Sequence, residues 1–248
     1  DCIAKPDCWV YRSFGIGLVF LVLRSGPSLV DAFALAPYRI GCPLPLPRED
    51  AMKPDATTIA VYDAKTLDYK KLGPSTDERK VEVRFAQSLP QGGTVLDYGC
   101  GPGRTAGYFA RQGLITHAFD ASKEMVKLTR EHSGVTVWQA GFDTFSAPDT
   151  YHGIWASFSL LHAARSDMPA LLGKIHEALK VGGKFYIALK LGQGEARDGL
   201  GRLYTYYEEE ELRVLLSAAG FKWQSHRTGE DVGLDGTLSR LISVLADA

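Results

Sequence analysis

The run TVLDYGCGPGRTAGYFA, residues 94–110, restricts the fold more tightly than any other part of the chain. Val95 and Leu96 predict a short buried strand that Asp97 ends. Gly99, Gly101 and Gly103 make a turn, and residues 105–112 predict the helix that follows. Glycine has no Cβ, so the backbone can bend sharply there and a ligand can approach the main chain. The free N–H groups at the start of the next helix face such a ligand. A dinucleotide fingerprint reads G-x-G-x-x-G around a pyrophosphate. Here the order is D-x-G-x-G-x-G, and the carboxylate of Asp97 precedes the glycines. That order favours a cationic nucleoside over a diphosphate.

Strand and helix then alternate, the pattern of a parallel sheet. Residues 114–119 predict a second strand ending at Asp120, and Ser122 is placed to cap a helix carrying Met125, Val126, Leu128 and Thr129. Residues 136–139 and 153–157 predict the third and fourth strands. Asp167 is the expected cap of a helix with Leu171, Leu172, Ile175 and Leu179 inward, ending at Gly182 and Gly183. Residues 184–190 alternate as a fifth strand, 191–207 read as a flexible loop, and 208–219 as a helix. Residues 221–227 and 238–245 supply two closing strands. Asp120 lies roughly twenty residues past the glycines, where a carboxylate accepts hydrogen bonds from ribose hydroxyls; the alternative is a helix-entry acid facing the dipole.

The motif V-L-D-x-G-C-G-x-G, residues 95–103, resembles the first motif of the class I S-adenosylmethionine-dependent methyltransferases. The run LKVGGKF, residues 179–185, is similar to the L-K-P-G-G-x-F that precedes their fifth strand, with Val181 in place of proline. The resemblance covers roughly residues 54–246 and implies a Rossmann-like, doubly wound sheet of seven strands with helices on both faces. The implied order is 3-2-1-4-5-7-6, the last strand antiparallel. It implies S-adenosyl-L-methionine as cofactor, held by Asp97, Tyr98, Gly99, Cys100, Gly101, Gly103 and Arg104 around the turn and by Asp120 and Ala121 at the ribose. Gly141 and Phe142 would meet the adenine, and Ser157 and Phe158 the methionine end. Two positions depart from the family pattern. Gly141 stands where relatives carry an acid, which leaves the adenine to backbone groups with Asp143 two residues on, and His152 stands where the fourth strand usually begins with an acid.

Acceptor-binding candidates come from both sides of this core. Tyr62 and Tyr69, seven apart, share one face of an expected helix, either as packing residues or, as the resemblance implies, as walls of the pocket under a lid. His162, just after the fourth strand, is a candidate base or a packing residue. The segment LGQGEARDGLGRLYTYY, residues 191–207, resembles G-E-x-R-D-x-x-G-R-x-Y in a subgroup of bacterial small-molecule methyltransferases. Its Arg197, Arg202, Tyr204 and Tyr206 are placed to hold an anionic or aromatic acceptor, or else its arginines pair with Glu195 and Asp198.

The 248 residues have room for one α/β domain. A net charge of −1 marks no surface for nucleic acid. No Cys/His cluster has metal-ligand spacing, and a lone Cys100 in the folded part fits a reducing cytoplasm. Residues 1–51 differ from the rest. Their apolar run of ten, FGIGLVFLVL, is too short to span a bilayer and is stopped by Arg24. Basic residues precede it and Ala32-Phe33-Ala34 follows, as in a signal segment, and GCPLPLP is rich in proline. Appended leader, targeting segment and structural arm all remain open for this region.

The expected organisation is therefore a leader or appended segment over 1–51, a helical lid over 52–90 and a cofactor-binding domain over 91–248. The expected activity is in-line methyl transfer to a small-molecule acceptor by a cytoplasmic monomer or homodimer, with no metal, nucleic acid or stable membrane insertion. A NAD-dependent oxidoreductase and a non-catalytic S-adenosylmethionine-binding protein are the alternatives.

Overall fold

The computed structural model describes residues 52–71 and 76–248. The expectations for residues 1–51 and for a break at Gly73, Pro74 and Ser75 lie outside the described residues. Helices α1 (Ala56–Ala64), α2 (Thr66–Lys71) and α3 (Thr76–Ser88) lead into β1 (Thr94–Tyr98). Then come α4 (Arg104–Arg111), β2 (Ile115–Asp120), α5 (Lys123–Thr129), β3 (Val135–Gln139), β4 (Tyr151–Ser157) and α6 (Met168–Ala178). The remainder is β5 (Leu179–Lys190), β6 (Glu195–Arg197), β7 (Leu203–Thr205), α7 (Glu209–Ala218), β8 (Lys222–Val232) and β9 (Leu238–Asp247).

Seven of the strands form one sheet in the order β3-β2-β1-β4-β5-β9-β8. Strands β1 to β5 run parallel, and β9 is antiparallel to both its neighbours. With the separate ribbon β6-β7 set aside, this is the expected 3-2-1-4-5-7-6. β1 lies between β2 and β4, with Asp97 opposite Ala118 on one side and Trp155 on the other. Its side chains alternate between two cores. Leu96 and Tyr98 pack with Phe119, Ile154 and Ile187 and with Leu171 and Leu212 of α6 and α7. Val95 packs with Phe85 of α3, Phe109 of α4, Trp155 and Tyr186. Covering both faces lets a strand such as residues 185–189, FYIAL, be buried along its length. No helix among the described residues is long and apolar enough to cross a membrane.

Three local expectations are corrected. Helix α6 ends at Ala178, and Gly182 and Gly183 lie inside β5. Gly182 has φ +74° and its N–H is taken by Ala248 O, so the glycines bend the strand instead of capping the helix. Residues 191–207 are not a flexible loop. The carboxylate of Asp198 accepts the N–H groups of Leu200 and Arg202 and closes a turn, which lets β6 pair with β7. Tyr62 and Tyr69 are on two helices, not one. Thr66 Oγ1 donates back to the carbonyls of Tyr62 and Asp63 at the junction, yet the two rings still meet at 4.9 Å.

The helices before β1 are fastened at both ends. Asp55 caps α1 by accepting Thr58 N–H at 2.8 Å and receives two bonds from Arg197 at the end of β6. Thr58 Oγ1 accepts Leu203 N–H, while Asp63 accepts from Ser122 Oγ at 2.6 Å and Glu124 N–H beside α5. The hydrogen bonds from Arg197, then those from Thr58, outweigh desolvation and hold Asp55 well below the usual carboxylate range. The ion pair is partly exposed and adds little, so the cap dominates. Asp55→Ala is expected to cost roughly 0.5–2 kcal/mol of stability, read as a fall of a few degrees in thermal midpoint. Because the folded carboxyl is depressed, this contribution is complete above the unfolded value near pH 4 and shrinks as pH falls below it. An unchanged midpoint at neutral pH would contradict the role.

Candidate active site

The carboxyl ends of β1, β2, β4 and β5 open into a cavity of about 350 Å³. That is enough for a small organic ligand. One end is the turn after β1. Gly99, Gly101 and Gly103 all have positive φ, at +74°, +51° and +74°. A Cβ on Gly99 would come within 2.4 Å of Ser159 Cβ, and one on Gly103 within 2.5 Å of Thr129, so both are held by packing. A Cβ on Gly101 would meet nothing within 4 Å, and this residue lines the cavity. The bare face of the turn is therefore at Gly101.

Two carboxylates define the chemistry of that end. Asp120 is anchored through both oxygens, one accepting Gly101 N–H and the other Ser122 N–H, each at 2.8 Å. Each oxygen keeps a second lone pair for a ligand. Burial, above all, pushes its acid up to about 6 despite these bonds, with Asp63 adding to the effect. Asp97 accepts Ala106 N–H at 3.0 Å, and burial pushes it up to about 8. Glu82, also buried, takes Thr105 Oγ1 at 2.8 Å on the same wall. A cation bound here would favour ionisation of these acids.

The middle of the cavity is built by the end of β4. Phe158 has φ +54°, an uncommon conformation for a bulky residue, and its N–H donates to Ala188 O at 3.0 Å. Trp155 and Ser159 both line the cavity, but Trp155 Nε1 and Ser159 Oγ are themselves buried away from it and have no hydrogen-bond partner among the described residues.

The far end is aromatic and basic. His162 Nδ1 lies 2.6 Å from Leu203 O, which can only accept, so the ring carries its proton on Nδ1. Nε2 then accepts the phenol of Tyr62 at 2.6 Å. Burial lowers the imidazole to about 4, which keeps it neutral and makes it a weak base. Arg202 is buried, bonded through Nε (2.8 Å) and Nη2 (2.5 Å) to Asp198, and donates to Tyr69 Oη. Lys190 Nζ sits 4.1 Å from the centre of the Tyr204 ring.

Most of the residues singled out from sequence meet at this one cavity. Asp97, Gly99, Cys100, Gly101, Arg104, Asp120, Ala121, Phe142, Ser157, Phe158, Tyr62, Tyr69, His162 and Arg202 all line it. Tyr98, Gly103, Gly141, Arg197 and Tyr206 are not among its lining residues. The Tyr98 ring turns into the core and stacks on Phe142, while Gly103 is packed against Thr129 of α5. Gly141 faces Asp143 and Pro54. Arg197 is spent on Asp55 and Gly201 O, and Tyr206 lies against Gly192. Of the pairings weighed for the arginines, Arg202 takes Asp198, whereas Glu195 accepts Arg165 N–H. Sequence reasoning missed Lys190, Trp155 and Ser159. The one signal for Lys190 was its position as the last residue of a strand whose carboxyl end faces the ligand side.

Residues 95–183 match the family model described as a methyltransferase domain. A ubiquinone biosynthesis O-methyltransferase of Xanthomonas axonopodis pv. citri is 30% identical over 114 residues, which is 44% of this chain and 48% of that protein. The match thus spans about half of that relative's length. Among solved structures, the 1,6-didemethyltoxoflavin-N1-methyltransferase of Burkholderia thailandensis, with 1,6-didemethyltoxoflavin and S-adenosylhomocysteine bound, superposes with a TM-score of 0.63 at 23% identity. It covers 77% of this chain and 87% of that one. The CcbJ methyltransferase of Streptomyces caelestis gives 0.61 at 18% identity, over 78% and 99% of the two chains. Residues 95–183 thus match a methyltransferase domain, and the sheet order with its glycine turn gives the chain the fold of these solved methyltransferases.

Proposed function

We propose that the chain transfers a methyl group from S-adenosylmethionine to a small-molecule acceptor. The observation that carries this reading is the pairing of a bare, left-handed Gly101 with a carboxylate, Asp120, fixed through both oxygens at the cavity wall. The bound cofactor supplies a methyl group already activated on a sulfonium. Asp120 and Ala121 would hold its ribose, with Gly99, Cys100 and Gly101 providing backbone beneath it. Phe142 would flank the base, Asp97 and Arg104 the charged end, and Ser157 and Phe158 the wall beyond. This reading takes residues 52–90 as a helical lid over a cofactor-binding domain of residues 91–248. Tyr98, Gly103 and Gly141 then act by packing, and Arg197 and Tyr206 by shaping the ribbon that carries Arg202.

Catalysis in such a site rests on alignment and on exclusion of water. Tyr62, Tyr69, His162 and Arg202 would form the acceptor's walls. His162 orients the Tyr62 hydroxyl, because its Nδ1–H is tied to Leu203 and only Nε2 is left to accept. A proton lost by the acceptor would pass to the Tyr62 oxygen as the phenol's own proton moves to Nε2. The small-molecule class is supported by the relatives, one named for ubiquinone biosynthesis and one solved with 1,6-didemethyltoxoflavin. A dinucleotide is less well served, since Asp97 and Glu82 line the wall beside the turn.

Titration with S-adenosylhomocysteine tests the seat. Gly101→Val and Asp120→Asn are each expected to weaken binding at least tenfold, about 1.4 kcal/mol. Thermal unfolding of both variants separates lost binding from lost folding. Parent-like affinity in both variants would contradict the assignment, and so would tighter binding of NADH by the parent chain. For His162, a depressed imidazole stays unprotonated as pH falls to about 4. Methyl transfer, followed with labelled cofactor, should therefore show no His162-dependent acidic limb near the ordinary imidazole value of about 6.5. A limb there that disappears in His162→Gln would contradict this geometry.

A further inference from the structure

Lys190 is the last residue of β5, and its side chain lies in the cavity at the aromatic end, 9% exposed. Arg202, its neighbour around the Tyr204 ring, is neutralised by Asp198. Lys190 has no such partner. Among the described residues Nζ forms no hydrogen bond or ion pair, and its close contact is the face of Tyr204 at 4.1 Å. The nearest acid from the β8–β9 connection is Asp235. Against a desolvation that raises it, bonds from Thr237 and the charges of Lys190 and Arg202 keep its carboxyl low, and Asp231 lines the same cavity, but neither acid comes within ion-pair distance of Nζ. A lysine this buried is ordinarily paired, because an ammonium withdrawn from water without a counter-charge is costly.

The rest of this end says what would pair with it. Tyr62, Tyr69 and Tyr204 offer aromatic walls, and Leu234 and Leu241 add apolar surface. Tyr62 donates to His162 Nε2 and the Nδ1–H is tied to Leu203, so among the described residues the only base facing the acceptor is a phenol oxygen backed by a weakly basic imidazole. A substrate that arrives already ionised needs none. We infer that Lys190 binds an anionic oxygen of the methyl acceptor, so that the acceptor is a planar or aromatic molecule carrying a carboxylate or an equally acidic group.

This inference rests on the methyl-transfer reading for the word acceptor, but its test does not. Benzoate, salicylate and 3,4-dihydroxybenzoate are titrated calorimetrically against the full chain beside their primary amides, with and without saturating S-adenosylhomocysteine. At least one acid is expected to bind tenfold or more tightly than its amide. Lys190→Met and Lys190→Gln should abolish that preference while affinity for S-adenosylhomocysteine stays within twofold. Both variants are expected to unfold at or above the parent temperature, since each removes a buried charge that lacks a partner. The inference is overturned if no acid outbinds its amide, or if the preference survives both substitutions. Failure of the parent chain to bind S-adenosylhomocysteine would strike the methyl-transfer reading instead, and the acid–amide comparison without it would still decide the lysine's role.

Discussion

The turn after β1 keeps its shape because acceptors from β2 hold its backbone. Phe119 O takes the N–H groups of both Gly99 and Cys100, at 3.1 and 2.9 Å, and the Asp120 carboxylate takes that of Gly101. Three consecutive donors are thus satisfied from a neighbouring strand, and the bend they enforce needs left-handed glycines at Gly99 and Gly101. Helix α4 starts where that bend delivers the chain, and Asp97 secures its first turn through Ala106 N–H. The same carboxylate that fixes Gly101 faces the cavity. The bond that positions the turn therefore also positions the group available to a ligand.

Charge is divided along the cavity. Asp97, Asp120 and Glu82 lie toward the glycine turn together with Arg104, whereas Lys190 and Arg202 lie at the aromatic end, where the Asp55 charge also reaches His162 and Asp231 adds to the lining. Burial acts on the acids by raising Asp97 and Asp120, which makes a cationic ligand the natural means of restoring their charge. At the other end the buried cation is Lys190, because Asp198 already answers Arg202. The helices before β1 supply part of the cavity wall, with Asp55 and Thr58 tied to the β6-β7 ribbon and Asp63 to the start of α5.

Much of the core was legible because its signals are local. The D-x-G-x-G-x-G turn and its flanking strand and helix follow from glycine stereochemistry and apolar patterning, and Asp120 follows from its spacing past the glycines. The sheet order came from the resemblance, since repeated β-α units alone do not fix it. What was misread depends on contacts distant in sequence. Gly182 and Gly183 carry a helix-stop signal, yet Ala248 pairs with them and makes them part of a strand. Arg197 and Arg202 look equivalent in sequence. Only the fold gives one to Asp55 on the surface and buries the other beside Tyr69. Lys190 ends an alternating run and carries no local signal of a site, and only the fold sets it against β9 and the Tyr204 ring.

The central claim is that Gly101 and Asp120 form the seat of the cofactor's nucleoside. A crystal structure of the full chain with S-adenosylhomocysteine tests it most directly. The account predicts both ribose hydroxyls on the Asp120 carboxylate, the nucleoside against the bare face of Gly101, and the sulfur directed toward the end bounded by Tyr62, His162 and Lys190. A nucleoside bound elsewhere, or one whose ribose makes no contact with Asp120, would contradict it.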